Sequence, residues 1–416
     1  MAEEHPHHEP HLHATLPGIC RIPTETMDQI AGELCSWDLG NLRRASTVIH
    51  SQTIYSWNKR VLEYKDGLPP LEWAAGTNQP SLIDYILTVF SGIDVNTPRE
   101  GHRNPLGIAC KFGNNEAARA LIQNGADINY VSPNGFSILL EASCTRHHTT
   151  VQMLLELGAD AQFVGYGDCN IIHYAAQYNQ TDTLRVILAW KQANPDSMPD
   201  ILAFNATGGT ALHMACLNEG VDTVELMLGN GFDVDLVSSG PEYQTPLTWT
   251  AGHAYTGQGC EMLDLLLSNG ANVEGRSAHN QNLQHFDTPL HIAIRRSRHD
   301  LAKALIGHGA SMEALSARGE PTLHTAVRVG DLDMVKLIVE EGGNVNMVDA
   351  EGSFAVHALA RDHTAHYFSF TTTMYLRDQG AEVFLENSAG EFPQALAIEA
   401  GWPLDAVEAV WGMDSD

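Results

Sequence analysis

The chain has 416 residues, with 23 Lys+Arg against 51 Asp+Glu and a formal net charge of −28. A surface this acidic repels the phosphates of nucleic acids and the anionic face of membranes, so it argues against both as partners and favours a protein with a basic face. The 44% hydrophobic fraction is too high for a disordered chain, and no apolar stretch nears the ~20 residues of a membrane span.

Residues 1–17 open on a polar stretch crowded with His5, His7, His8, His11 and His13, with Glu3, Glu4 and Glu9 between them. This composition predicts a disordered tail, and nothing in it fixes a coordination geometry, so no metal and no cofactor is expected. The start lacks the basic, then apolar pattern of a secretory signal. The seven cysteines (Cys20, Cys35, Cys110, Cys144, Cys169, Cys216 and Cys260) are widely spaced and form no C-x-x-C pair. That usage fits reduced thiols and a cytoplasmic and/or nuclear location.

Residues 18–65 have a different texture. Ile22-Pro23-Thr24-Glu25 is followed by Met27, Ile30 and Leu34, then Asp38-Leu39, Leu42, Ala45, Ile49, Tyr55 and Trp57. Thr24 suits a helix N-cap, and Ile30 and Leu34 share one helix face, so three short helices are expected. The pattern resembles an F-box. That resemblance implies docking on the Skp-type adaptor subunit of a cullin–RING ubiquitin ligase, with Ile22, Pro23, Met27, Ile30, Leu34, Leu39 and Leu42 at the interface. Independently, so small a helical trio makes a poor core alone and gains from a partner or from the domain beside it.

From residue 66 to 416 one signal recurs. Apolar segments such as Ala211-Leu212-His213-Met214-Ala215, Thr288-Pro289-Leu290-His291-Ile292-Ala293 and Leu323-His324-Thr325-Ala326 are each followed by a second apolar stripe and a glycine. The anchor residues stand at 71, 106, 139, 172, 212, 247, 290, 323 and 356, with a modal spacing of 33. Thr-Pro at a helix start supplies an N-cap oxygen and a proline at the first helical position. In the second stripe, sets such as Val151, Leu154, Leu155 and Gly158, or Val335, Ile338, Val339 and Gly342, place apolar residues at i, i+3 and i+4 ahead of a helix-ending glycine. Each unit is a helix pair that cannot bury its apolar side alone, but a stack of them can.

This period and motif resemble the ankyrin repeat. The expected fold is therefore all-α: an ankyrin-repeat solenoid of nine to ten stacked helix pairs, preceded by the small F-box-like module. An F-box directly before ankyrin repeats is a recurring arrangement. Two units are longer than the rest. Lys191 to Asn205 reads as an inserted loop, with Lys191 where a terminal glycine is expected, and Ser277 to Phe286 reads as another. The last unit, around Phe392-Pro393, is degenerate and ends in Trp402, Val407 and Trp411 among acids, as a capping repeat does.

His173, His213, His291, His324 and His357 recur at one repeat position. Five equivalent sites along a stack cannot converge on one ion, so each is expected to make a buried hydrogen bond tying one loop to the next. Cys110 and Cys216 follow the motif alanine and read as small core residues, and no phosphate loop, zinc-protease site or nucleophile elbow is present, so no enzyme is expected. The function implied by the two resemblances is a substrate-recognition subunit of an SCF-type ligase. The alternative is a non-catalytic ankyrin scaffold whose N-terminal helices merely cap the stack. By position in the projecting turns, Arg99, His102, Asn134, Tyr166, Asp168, Tyr243, Arg318, Glu320, Asp349 and Glu351 are candidates to touch the target protein.

Overall fold

The computed structural model describes residues 70–89, 93–97, 104–240, 244–253, 257–275, 287–361 and 366–412. The tail 1–17, the F-box-like segment and the 277–286 insertion lie outside the described residues. Among those described, the architecture is all-helical, with three isolated β-bridges and no strand.

The chain divides into two packed units. The first takes residues up to Thr97 with Asn104–Ala109 and Glu116–Ala126. It contains α1 (Pro70–Gly76) and α2 (Pro80–Val89), together with parts of α3 (Pro105–Lys111) and α4 (Asn115–Gln123). Leu71, Ala74, Ile83, Ile86, Leu106 and Leu121 are buried in it. Asn78 Oδ1 accepts from the Ala117 amide at 3.0 Å, which links the pair α1–α2 to α4.

The second unit runs on from Asp127 and repeats one theme. Short first helices are α5 (Ile138–Ser143), α7 (Ile171–Gln177), α9 (Ala211–Leu217), α11 (Pro246–His253), α13 (Pro289–Arg295), α15 (Thr322–Val329), α17 (Ala355–Ala360) and α19 (Pro393–Glu399). Their partners are α6 (His148–Glu156), α8 (Thr181–Ala193), α10 (Val221–Gly229), α12 (Gly259–Ser268), α14 (His299–Gly307), α16 (Leu332–Glu340), α18 (His366–Asp378) and α20 (Leu404–Trp411). First helices pack on first helices and second on second, giving two layers with the core between them. Leu139, Leu154, Leu212, Val224, Leu290, Leu305, Leu323 and Ile338 all sit in that core.

Local chemistry explains why the helices start and stop there. Ser137 Oγ accepts from the Leu140 amide at 3.2 Å, and Asn170 Oδ1 accepts from Ile172 and His173 at 3.0 and 3.1 Å. The second helices close on left-handed glycines, as at Gly158 (φ 89°) and Gly342 (φ 95°). Where Lys191 replaces that glycine, the expected loop does not begin. Helix α8 instead continues to Ala193, and a 3-10 turn follows at Pro195–Ser197. Nothing in the sequence there forces a positive φ. The chain stays helical until Asn194, and Lys191 Nζ then caps the Pro199 carbonyl at 2.8 Å.

Candidate protein-binding face

Among the described residues, turns lead from second helices into the next first helices. Bridges close three of them, Val131 with Ser137, Phe204 with Thr210 and Val348 with Phe354. Neighbouring turns are also tied edge to edge. The Ala206 amide donates to the Gly167 carbonyl, Ser239 to Gly208 and Ala350 to Gly319, each at 2.8 Å.

The motif histidines lie beneath this row. Nε2 of His213 meets the Gln244 carbonyl at 2.9 Å, and His291 meets Glu320 at 3.1 Å. His324 meets Ser353 at 2.9 Å, and His357 meets Glu391 at 3.1 Å. Each ring thus reaches from its own helix start to the end of the following turn, as the periodicity predicts. Thr210 and Thr288 place their hydroxyls 2.8 Å from Nδ1 of His213 and His291. In His213, Nδ1 accepts from the Thr210 amide at 3.2 Å, so Nε2–H donates and the ring is neutral. Burial lowers the pKa of His213 to about 4, and it also lowers those of His173, His324 and His357. His173 departs from the expected pattern: its ring binds Asn170 through Nδ1, and although the backbone of Ala203 and Gly209 lies beside it, Nε2 makes no bond of good geometry to the following turn.

The turn candidates are placed unevenly. Asn134 is exposed at a turn tip, Tyr166 is 81% exposed, and Asp168, Arg318 and Glu351 are exposed. Asp349 is half-buried and structural, because its Oδ1 accepts from the amides of Glu351 and Ser353 at 2.9 and 2.8 Å. Glu320 is turned inward and buried, with its carboxylate gripped by Arg328 through both Nε and Nη2. It therefore reaches a partner only through that arginine. Arg99, His102 and Tyr243 lie outside the described residues, as do all seven candidates for the adaptor interface.

Two features of the surface escaped the sequence reading. Val131 in one turn, Val164 and Tyr166 in the next, and Leu202 and Phe204 in the third are exposed, so three successive turns carry apolar side chains at the surface. The signal for it is an apolar residue six positions before the helix N-cap, at Val131, Val164 and Phe204. The second feature is an open groove of about 750 Å³ between α8 and α10, lined by Arg146, Asp182, Arg185, Asp222 and Glu225 among others.

Burial pushes the thiols of Cys110, Cys144 and Cys216 up to about 12, which leaves them protonated and inert. Among the described residues, no group of three or more His, Cys, Asp or Glu side chains is placed to hold a metal ion, and no helix is long and apolar enough to cross a membrane.

Comparison with known proteins agrees with the fold. The chain is 27% identical over 223 residues to the human transient receptor potential cation channel subfamily A member 1, covering 52% of this chain and 18% of that protein. It is 25% identical over 267 residues to the E3 ubiquitin-protein ligase KEG of Arabidopsis thaliana, covering 62% of this chain and 15% of that one. The chain thus spans less than a fifth of either relative. Among solved structures, the human ASB11 ankyrin repeat domain aligns with a TM-score of 0.47 and 27% identity, covering 59% of this chain and 99% of that domain. No F-box family model matches the chain. The family model for ankyrin repeats, in sets of three copies, matches residues 71–164, 163–238, 221–316 and 253–349. With most of its length accounted for in this way, the chain belongs to the ankyrin-repeat family.

Proposed function

We propose that this protein is a substrate-recognition adaptor of a cullin–RING ubiquitin ligase. Residues 18–65 dock on the Skp-type subunit, and the repeats hold the protein to be modified. The protein-binding half of this reading is carried by the row of tied turns, three of which expose apolar side chains, Tyr166 among them. The ligase half is supported by the Ile22-Pro23-Thr24-Glu25 opening with Leu34, Asp38-Leu39 and Leu42, and by an E3 ubiquitin-protein ligase among the relatives. The chain supplies proximity, and other subunits supply the chemistry. Ile22, Pro23, Met27, Ile30, Leu34, Leu39 and Leu42 form the adaptor contact, and Asn134, Tyr166, Asp168, Arg318 and Glu351 belong to the target contact.

The test is affinity purification of the full chain with mass spectrometry, beside the double variant Leu34→Asp plus Leu39→Asp. Wild type is expected to bring down a Skp-type adaptor and a cullin. The variant is expected to lose both while keeping its remaining partners. Absence of the adaptor and cullin from wild type overturns the ligase reading, and adaptor binding that survives the double substitution overturns the assignment of Leu34 and Leu39 to the interface.

A further inference from the structure

The charge of the last repeat is of one sign. Residues 378–416 carry nine acids and no Lys, Arg or His. Among the described residues, only Glu391 of these acids is held in an ion pair, by Arg361. Two of the acids fall at repeat positions that are basic in the units before. Arg328 and Arg361 stand seven residues after their helix N-caps, and Glu399 stands seven after Phe392. Lys303 and Lys336 are fifth in α14 and α16, and Glu408 is fifth in α20. At this fifth position the side chain reaches forward, as Lys303 does to Glu341 at 3.6 Å.

The same repeat exposes apolar side chains at three positions that meet the following repeat elsewhere. Six residues after the N-cap, Ile294, Val327 and Ala360 are buried, but Ile398 is 46% exposed. The first residue of a second helix reaches forward at Thr181, to Thr223 Oγ1 at 2.8 Å, and at His299, to Asp331 at 3.2 Å. In α20 that residue is Leu404, 63% exposed. Four residues after the helix-ending glycine, Asp235 accepts from the Asn272 amide at 3.0 Å and Asn346 from the Glu382 amide at 2.7 Å. The last repeat has Phe384 there, 61% exposed. The unit is not an ordinary repeat left uncovered, because Gln394 replaces the apolar anchor and Ala395 the motif histidine. A cap that had only water to meet would be polar at 384, 398 and 404 as well.

We infer that the outer face of α19 and α20 is a docking site for a basic amphipathic helix of a partner protein, lying where a further repeat would lie. Its apolar stripe covers Ile398 and Leu404 and reaches Phe384, and its Lys and Arg side chains meet Glu399, Asp405 and Glu408. Two observations select this occupant. In the preceding repeats the same positions are covered by helices, first on first and second on second. The acids of this repeat other than Glu391 have no cation, so they attract basic flanks and repel another acidic surface. That repulsion disfavours a second copy of this chain set end to end. At physiological salt, fields beyond about 8 Å are screened, so the acids of this repeat, rather than the net charge of the whole chain, hold the partner. The surface is separate from the row of turns, and neither half of the proposed function uses it.

The test uses the full chain and a fluorescein-labelled peptide of leucine and lysine at amphipathic helical spacing, read by anisotropy at physiological salt. Wild type is expected to bind it, and to bind a scrambled peptide of the same composition far more weakly. The triple variant F384S/I398S/L404S keeps every charge and trims only exposed side chains, and it is expected to bind about tenfold or more weakly. E399Q/E408Q is expected to weaken binding and to flatten its salt dependence. D222N/E225N removes acids from the matching helix α10 of an inner repeat and is expected to match wild type. Hydrogen exchange on wild type alone guards against misfolded variants, with peptide-dependent protection expected at 393–399 and 404–411. Absence of binding, equally tight binding of the scrambled peptide, equal loss in D222N/E225N, or protection elsewhere would each overturn the proposal. So would a dimer of wild type that the triple variant abolishes, because it puts a second copy on this face. Any such failure leaves the proposed function untouched, because that reading rests on the turns and on residues 18–65.

Discussion

The ring of His213 is fully buried between Thr210 Oγ1, 2.8 Å from Nδ1, and the Gln244 carbonyl, 2.9 Å from Nε2. Protonating Nδ1 removes its acceptor, so the folded state resists the proton down to a pKa of about 4, while the unfolded chain takes it up near 6.5. A depressed histidine pKa means that the unfolded state binds more protons as pH falls. Stability is therefore full above about 6.5 and is lost progressively down to about 4, by ~3 kcal/mol from this residue alone. The downward shifts at His173, His324 and His357 add to the same trend. Urea midpoints measured across this window should fall with pH, and His213→Ala should flatten the profile while costing roughly 2–4 kcal/mol at neutral pH. Gly208 makes a second prediction at this scale. Its φ is 82°, and a Cβ there would lie 2.2 Å from the Gly240 amide nitrogen, where two turns touch. Gly208→Ala should cost at least ~2 kcal/mol by chemical denaturation, since the left-handed backbone and the backbone clash both penalise it.

At the scale of the helix, the sequence was most legible where one residue type answers one physical demand. The i, i+3, i+4 stripes and their terminal glycines mark the second helices, because only an amphipathic stripe with a left-handed stop satisfies a buried pair. The histidine row was legible for the same reason: repetition excludes convergence on a single site and leaves packing. Lys191 misled only about where the loop opens, because without a stop signal the helix runs on to Ala193 before the loop begins. Glu320 misled because position in a turn does not reveal which way a side chain points; that depended on Arg328, eight residues on. The capping reading of the last unit is testable. Trp402, Val407 and Trp411 are all buried, and Trp411 Nε1 donates to the Val383 carbonyl at 2.9 Å. Arg377 on α18 donates to the carbonyls of Ala409 and Val410 at 3.0 and 2.6 Å. Trp411→Ala should cost ~3–5 kcal/mol locally. Because such stacks are coupled mainly to nearest neighbours, hydrogen exchange should speed up in α18–α20 and leave α7–α10 unchanged.

For the whole molecule, two charge effects oppose one another as the solution is acidified. The net charge of −28 repels itself at neutral pH, and moving towards the pI near 5.0 removes that repulsion, which favours the folded state. The buried histidines work the other way over the same interval. The two separate by ionic strength. Repulsion among exposed acids is screened by salt, while a neutral ring hidden from solvent is not. Among the described residues, exposed ion pairs such as Arg185 with Asp182 and Lys336 with Asp333 are weakened by salt but contribute little. Raising salt from about 10 mM to about 150 mM at pH 7.5 should therefore raise the melting temperature. The same step near pH 5 should change it much less, because the acids have begun to lose their charge. At the higher salt, the fall in stability with acidification should be steeper, since the compensating relief of repulsion is gone. Calorimetric scans over that grid of pH and salt measure both slopes. A melting temperature that is independent of salt at pH 7.5 would mean that the acids are spaced widely enough not to strain the fold.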